Sequence, residues 1–208
     1  MIDTSPEWSA ISIRDIALEA GVSDSVMYRQ FHDRESLDRC IRTEISTRVH
    51  QDLDTALLAP ERKTPLVIIR ELVEVLLTWE STHSNLLGFL RSGPTVGGQA
   101  LDGMYWLRTQ LAERSSLAVL ALAASIGMTN IKEAATSIHA AVAMVEGAIR
   151  YWLESPTPDL TRAEIITLVT EYAWVMIDRL ATTYGLDLDP QRSVSASLQA
   201  LGESLQAR

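Results

Sequence analysis

The residues best suited to chemistry lie near the beginning of the chain, and the chemistry they favour is hydrogen bonding to a large polar surface. Arg29 can donate two parallel hydrogen bonds to the acceptor atoms of a guanine. Tyr28 can reach a phosphate from a rigid ring, and Arg34 lies at a predicted helix start, beside the position of a nucleic-acid backbone. The polar residues predicted to face outward are Asp24, Ser25, Tyr28, Arg29 and Gln30. Together they indicate a face that enters the major groove of DNA.

Two short helices joined by a tight turn must position these side chains. Ser12 precedes Asp15 by three residues, so its hydroxyl can cap a helix that begins near Ile13. Gly21 ends this helix because glycine adopts the left-handed conformation that reverses the chain. Ser23 then stands where it can cap the second helix. The pattern predicts a helix-turn-helix.

A third, longer helix follows the turn, with Asp33 as its cap and Arg34 as its first residue. The residues predicted to face the core of this small head are Val26 or Met27, Phe31, Leu37 and Ile41.

The residues AGVS, then Met27-Tyr28, Phe31 and Arg34-Glu35-x-Leu37, are similar to the DNA-binding region of TetR-type bacterial transcriptional regulators. The resemblance covers about the first quarter of the chain. It implies that Tyr28 and Arg34 touch phosphates, while the other DNA-binding residues meet the groove. The DNA-binding residues implied are Arg14, Asp24, Ser25, Val26, Tyr28, Arg29 and Arg34.

The beginning of the chain departs from the pattern of that family. TetR-type proteins carry another helix before the matched segment, whereas this sequence offers only the residues MIDTSPEWSAI there. We therefore expect the first helix of the family to be missing and the head to be incomplete.

The head also differs in charge from a typical DNA-binding domain. Between residues 12 and 48, six arginines face seven acidic residues, which gives a net charge of −1. The whole chain carries −9, with a pI near 4.9. Nonspecific attraction to phosphate should therefore be weak, and binding should depend on a few local contacts.

Length and composition favour an all-α protein with two parts. A chain of 208 residues, 47% of them apolar, can hold a helix-turn-helix head over residues 1–50 and a larger helical ligand-binding and dimerisation domain over residues 51–208. The single cysteine allows no internal disulfide. The longest apolar stretch, residues 117–128, is too short to span a bilayer, so we expect no membrane contact and a cytoplasmic, nucleoid-associated protein of a bacterium.

Start and stop signals predict helices throughout the second part. Thr64-Pro65 opens a helix to about residue 81, Ser84 can cap a short helix to about residue 90, and residues 91–103 form a loop rich in glycine. The remaining helices are predicted over about 102–125, 131–153 and 162–184. Capping boxes are predicted at Asn130 with Glu133 and at Thr161 with Glu164. The pattern contains no convincing strand.

The two long helices after residue 130 are apolar on more than one face, which one small domain cannot cover. A two-fold dimer built as a four-helix bundle would bury the surplus surface. TetR-like proteins pair in a similar way, which implies two heads on a palindromic DNA operator. A monomeric helical core is the alternative. The predicted dimer-interface residues are Ala140, Ala143, Met144, Gly147, Tyr172 and Met176.

The resemblance also implies that the middle helices enclose a pocket for a small hydrophobic effector, and that binding there releases DNA. Large apolar side chains with two polar groups suit a hydrophobic ligand with one polar end. The candidate pocket residues are Trp79, His83, Phe89, Met104, Trp106, Leu107 and His139. For each of them taken singly, an ordinary core residue is the stronger interpretation.

An enzyme is the weakest interpretation. Glu80-x-x-His83 has the spacing of a di-iron ligand pair, but such a site needs a second pair and two further glutamates. No phosphate-binding loop, zinc-protease motif or cysteine cluster is present, so the sequence predicts no catalytic residue, metal or cofactor. The sequence favours a ligand-responsive transcriptional repressor. The rival is a dimeric helical sensor or protein-interaction module whose head no longer binds DNA.

Overall fold

The computed structural model describes the backbone of residues 11–91, 95–96, 99–100, 103–128 and 131–206, and the side chains of residues 11–91, 107–128 and 131–203. Helices account for most of this part of the chain. The helices are α1 (Ile13–Glu19), α2 (Asp24–Gln30), α3 (Arg34–Ala56), α4 (Pro65–Thr82), α5 (Ser84–Arg91), α6 (Gly103–Ser125), α7 (Ala134–Glu154), α8 (Arg162–Thr183) and α9 (Val194–Gln206). A 3-10 turn spans Pro60–Arg62. The expectation of an all-α fold is confirmed.

Four helix starts carry the caps that their sequences predict. The Ser12 hydroxyl accepts from the backbone N–H of Asp15 at 3.1 Å, and Asp33 accepts from the N–H of Ser36 at 2.7 Å. The hydroxyls of two threonines do the same for α4 and α8. These bonds satisfy backbone donors that have no partner inside the helix.

Three other predicted helix starts are wrong in detail. Ser23 has the extended backbone of a cap, but its hydroxyl pairs with that of Ser25 at 2.8 Å instead of closing the first turn of α2. Ser84 is the first residue of α5 rather than its cap. Glu133 forms no capping box for α7, because its carboxylate accepts a hydrogen bond from the hydroxyl of Tyr184, and Asn130 lies outside the described residues.

Two elements were not expected from the sequence. The predicted loop before α6 contains a short antiparallel pair, β1 (Thr95–Val96) and β2 (Gln99–Ala100), with Thr95 opposite Ala100. The C-terminal helix α9 lies beside the 3-10 turn, where the N–H of Val194 donates to the carbonyl of Lys63 at 3.0 Å. The amphipathic pattern of α9 is as strong as that of α7, so the sequence carried a signal for this helix that the prediction missed.

Three apolar clusters hold the helices together. The head cluster consists of buried Ala17, Met27 and Leu37. A second cluster joins α3 to α4, α5 and α6, and a third joins α4 to α7 and α8. Ile41 of α3 packs against both the head cluster and the second cluster. Helix α3 therefore runs without interruption from the head into the larger helical body.

Candidate nucleic-acid interface

The turn between α1 and α2 is built as its glycine predicts. Gly21 has a φ of 68°, and the N–H of Val22 donates back to the carbonyl of Ala17 at 2.9 Å. This left-handed closure satisfies the last carbonyls of α1 and sets the angle at which α2 leaves. Ala17 is fully buried at the crossing, and its small side chain lets the two helices approach closely.

Helix α2 turns most of its surface to solvent. It buries Met27, which is 7% exposed, against the head cluster, so of the two residues predicted to face inward, Met27 does and Val26 does not. At about 100° per residue, Ser25 and Arg29 point roughly opposite to Met27. Tyr28 and Val26 lie on the two flanks, with exposed fractions of 58% and 36%. The predicted groove-facing residues of α2 are thus all exposed on one short helix.

The arginines of the head differ in what they contact. Arg14 and Arg29 are exposed. Arg34 instead lies against the head, where its Nε donates to Asp38 at 2.8 Å and its Nη1 donates to the carbonyl of Ile11. Arg39 pairs with a glutamate one turn away. The structure thus places Arg34 as a tie between the start of α3 and the residue before α1.

The capping carboxylates keep their negative charge. The Ser12 side chain and backbone donate hydrogen bonds that lower the pKa of Asp15, and the N–H and hydroxyl of Ser36 lower the pKa of Asp33. Both groups are therefore ionised near neutral pH, where each sits favourably at the positive end of its helix. They also contribute to the acidity of the head.

The predicted pocket residues are partly brought together. Trp79, Phe89 and Leu107 are buried in the cluster between α3, α4, α5 and α6. The ring of His83 lies 4.6 Å from that of Trp79. His139 belongs to α7, where its Nδ1 lies 2.9 Å from the carbonyl of Ala135 in the same helix. The side chains of Met104 and Trp106 lie outside the described residues.

Polar partners of this cluster were missed from the sequence. The indole N–H of Trp79 donates to Asp52 at 2.8 Å. The guanidinium of Arg42 lies 4.1 Å from the centre of the Phe89 ring and donates to the Phe89 carbonyl at 2.7 Å. Both contacts join α3 to residues 27 and 47 positions away, and no local sequence pattern reports such pairs.

The predicted dimer face is largely open to solvent. Ala140, Ala143 and Gly147 are exposed along α7, and a Cβ added to Gly147 would meet no atom within 4 Å. Tyr172 of α8 is 55% exposed. Met144 is half-buried and packs against the third cluster within the same chain. Met176 is also half-buried.

Two large exposed side chains extend this face beyond the prediction. Tyr151 of α7 is 80% exposed, and Val175 of α8 is 60% exposed. Tyr151 follows Gly147 by one turn, so the spacing of four was available as a signal in the sequence.

The di-iron spacing does not bring metal ligands together. Glu80 forms an ion pair with Arg91. Within the described ranges, no three histidine, cysteine, aspartate or glutamate side chains lie close enough to share a metal ion. None of the helices that the structure describes is both long enough and apolar enough to cross a membrane.

Comparison with family models, with curated proteins and with solved structures gave no match.

Proposed function

We propose that the chain is a homodimeric, ligand-responsive transcriptional regulator of the TetR type, which represses by binding a palindromic operator. The observation that carries the proposal is the outer face of α2. Arg29 and Ser25 point away from the head core, and the helix is fixed behind them by buried Met27 and the turn at Gly21. A short exposed helix after such a turn suits the major groove of DNA.

Few contacts would carry the affinity. Arg29 suits guanine, while Tyr28 and Arg14 lie exposed where they can reach groove or backbone. Arg34 acts through the head rather than on DNA, because it ties α3 to the start of α1. With a head charge of −1, nonspecific binding is weak, so the specific contacts supply most of the affinity.

Dimerisation supplies the second head that a palindrome requires. The small residues Ala140, Ala143 and Gly147 allow another helix to approach α7 closely, and the exposed apolar surface of α8 continues the same face. Two copies related by a two-fold axis would bury these surfaces in a four-helix bundle. Met144 and Met176 are both half-buried, and they would contact the partner at the edge of this face.

A small hydrophobic effector would act through α3. The ring of Phe89 belongs to the second cluster and contacts the guanidinium of Arg42. The neighbouring Ile41 packs against the head cluster as well. A ligand that displaces α5 would therefore move α3 and change the placement of α2. Such a ligand would bind one arrangement of the helices better than the other, as an allosteric switch requires.

A second candidate is a dimeric sensor or protein-interaction module whose head does not bind DNA. The acidity of the head favours it, since seven carboxylates between residues 12 and 48 oppose six arginines. This candidate retains the dimer and the effector but predicts no sequence preference.

Selection of a duplex from a random pool separates the two candidates, and replacement of Arg29 then tests which residue reads the selected sequence. A duplex selected by the wild-type chain from a random pool serves as the probe in a fluorescence-anisotropy titration. Arg29→Ala should weaken binding to it by about 1–3 kcal/mol and relax the preference at one position of each half-site. Arg39→Ala is the matched control, because Arg39 is exposed but pairs with Glu35 on α3. Equal sequence preference in Arg29→Ala and wild type would remove Arg29 from the reading residues.

A further inference from the structure

Val26 is an apolar side chain on the exposed surface of α2. It is 36% exposed, whereas Met27 beside it is buried in the head cluster. Val26 thus keeps an apolar surface exposed on α2, where it stands among side chains suited to hydrogen bonding. With α2 in the major groove, this side chain would face the bases.

Helical geometry places Val26 on the same flank of α2 as Arg29. Residues three apart on a helix point in directions roughly 60° apart and lie about 4.5 Å apart along its axis. Tyr28 lies on the other flank, since residues two apart point roughly 160° apart. Val26 and Arg29 would therefore face neighbouring positions of a groove that α2 enters.

The major groove offers one apolar group to such a side chain. Thymine carries a methyl group at C5, whereas the other base edges present hydrogen-bond donors and acceptors. Successive bases on a strand are about 3.4 Å apart, and two steps are about 6.8 Å. With the axis of α2 along the groove, the axial spacing of about 4.5 Å between Val26 and Arg29 lies closer to one base step than to two.

The side chain of Ser25 does not specify thymine. Its hydroxyl lies 2.8 Å from the hydroxyl of Ser23, and a serine hydroxyl can pair with donors or acceptors on different bases. We propose that Val26 reads the methyl group of a thymine adjacent to the guanine that Arg29 contacts. This inference rests on the proposed DNA-binding function and adds one specified base to each operator half-site.

Deoxyuridine provides a test that leaves the protein unchanged, because it differs from thymidine only by that methyl group. The site selected by the wild-type chain is synthesised with thymine or uracil at the position next to the guanine. Loss of one buried methyl should weaken wild-type binding about four-fold per half-site. Val26→Ala should bind both duplexes equally, since it no longer reaches the methyl group. Leu18→Ala, which truncates an apolar side chain 81% exposed on α1, should keep the wild-type preference for thymine.

The outcomes separate this inference from the function on which it rests. A thymine preference present in wild type and Leu18→Ala but absent in Val26→Ala supports the contact. A selected palindrome at which uracil binds as tightly as thymine overturns the inference and leaves the proposed function standing. The same holds for a preference that survives in Val26→Ala. Failure of the wild-type chain to select any sequence overturns the proposed function, and the inference with it.

Discussion

Substitution of Gly147 tests the dimer face with little disturbance of the protomer. A Cβ at this position meets no atom within 4 Å, so a larger side chain fits the isolated subunit. Glycine inside a helix costs roughly 0.5–1 kcal/mol relative to alanine, and leucine is nearly as favourable as alanine there. Gly147→Leu should therefore stabilise the single protomer slightly.

The same substitution should strongly weaken association. Overpacking a close contact costs about 1–3 kcal/mol, and a two-fold interface contains the substitution twice, for a total of about 2–6 kcal/mol. The dimer dissociation constant should rise at least about 30-fold. Sedimentation velocity over a dilution series measures the dissociation constant, and thermal unfolding of the diluted monomer measures the stability of the protomer.

A second helical glycine supplies the control for this experiment. Gly88 of α5 also has no atom within 4 Å of an added Cβ, and α5 packs mainly on α3, α4 and α6. Gly88→Leu should sediment as wild type. If Gly147→Leu sediments as wild type too, this face of α7 is not the dimer interface. If Gly147→Leu unfolds the protomer, the reasoning about space at this position is wrong.

Two further predictions concern stability. Leu77 is fully buried between α4, α7 and α8, so Leu77→Ala should lower the free energy of unfolding by about 2.7–5 kcal/mol, whereas Leu117→Ala, at a side chain 67% exposed, should change it by less than about 0.5 kcal/mol. Urea denaturation compares them, and a loss in Leu77→Ala as small as that in Leu117→Ala would contradict the packing. Burial lowers the pKa of His50 below its ordinary 6.5, so the unfolded chain binds a proton that the folded chain excludes, and stability should fall as pH decreases through 6.5. Urea denaturation at a series of pH values should show a weaker slope in His50→Gln, and an identical slope would rule out His50 as its source.

Local rules predicted the turn at Gly21 and the caps of α1 and α3 because the determinants of these features are close in sequence. A cap hydroxyl and the N–H it accepts from are three residues apart, and the left-handed turn needs only Gly21. Ser23 shows the limit of such rules, since a nearby hydroxyl competed for its side chain. The exposure of Arg29 followed from the position of buried Met27 on the same helix.

The body was harder to predict because its polar contacts link distant residues. Nothing near Asp52 indicates that it accepts from Trp79, and nothing near Arg42 indicates that it stacks on Phe89. Glu133 has the spacing of a capping box, yet the hydroxyl of Tyr184 reaches it across the fold. In each case a tertiary partner decided which of several local hydrogen bonds formed.

Selection of binding sites from a random duplex pool at low salt tests the central proposal most directly. A dimer that presents α2 from each subunit should enrich an inverted repeat whose half-sites lie about 10–10.5 base pairs apart, centre to centre, or a multiple of that spacing. A folded, dimeric preparation that enriches no sequence would contradict the proposal that the head reads DNA.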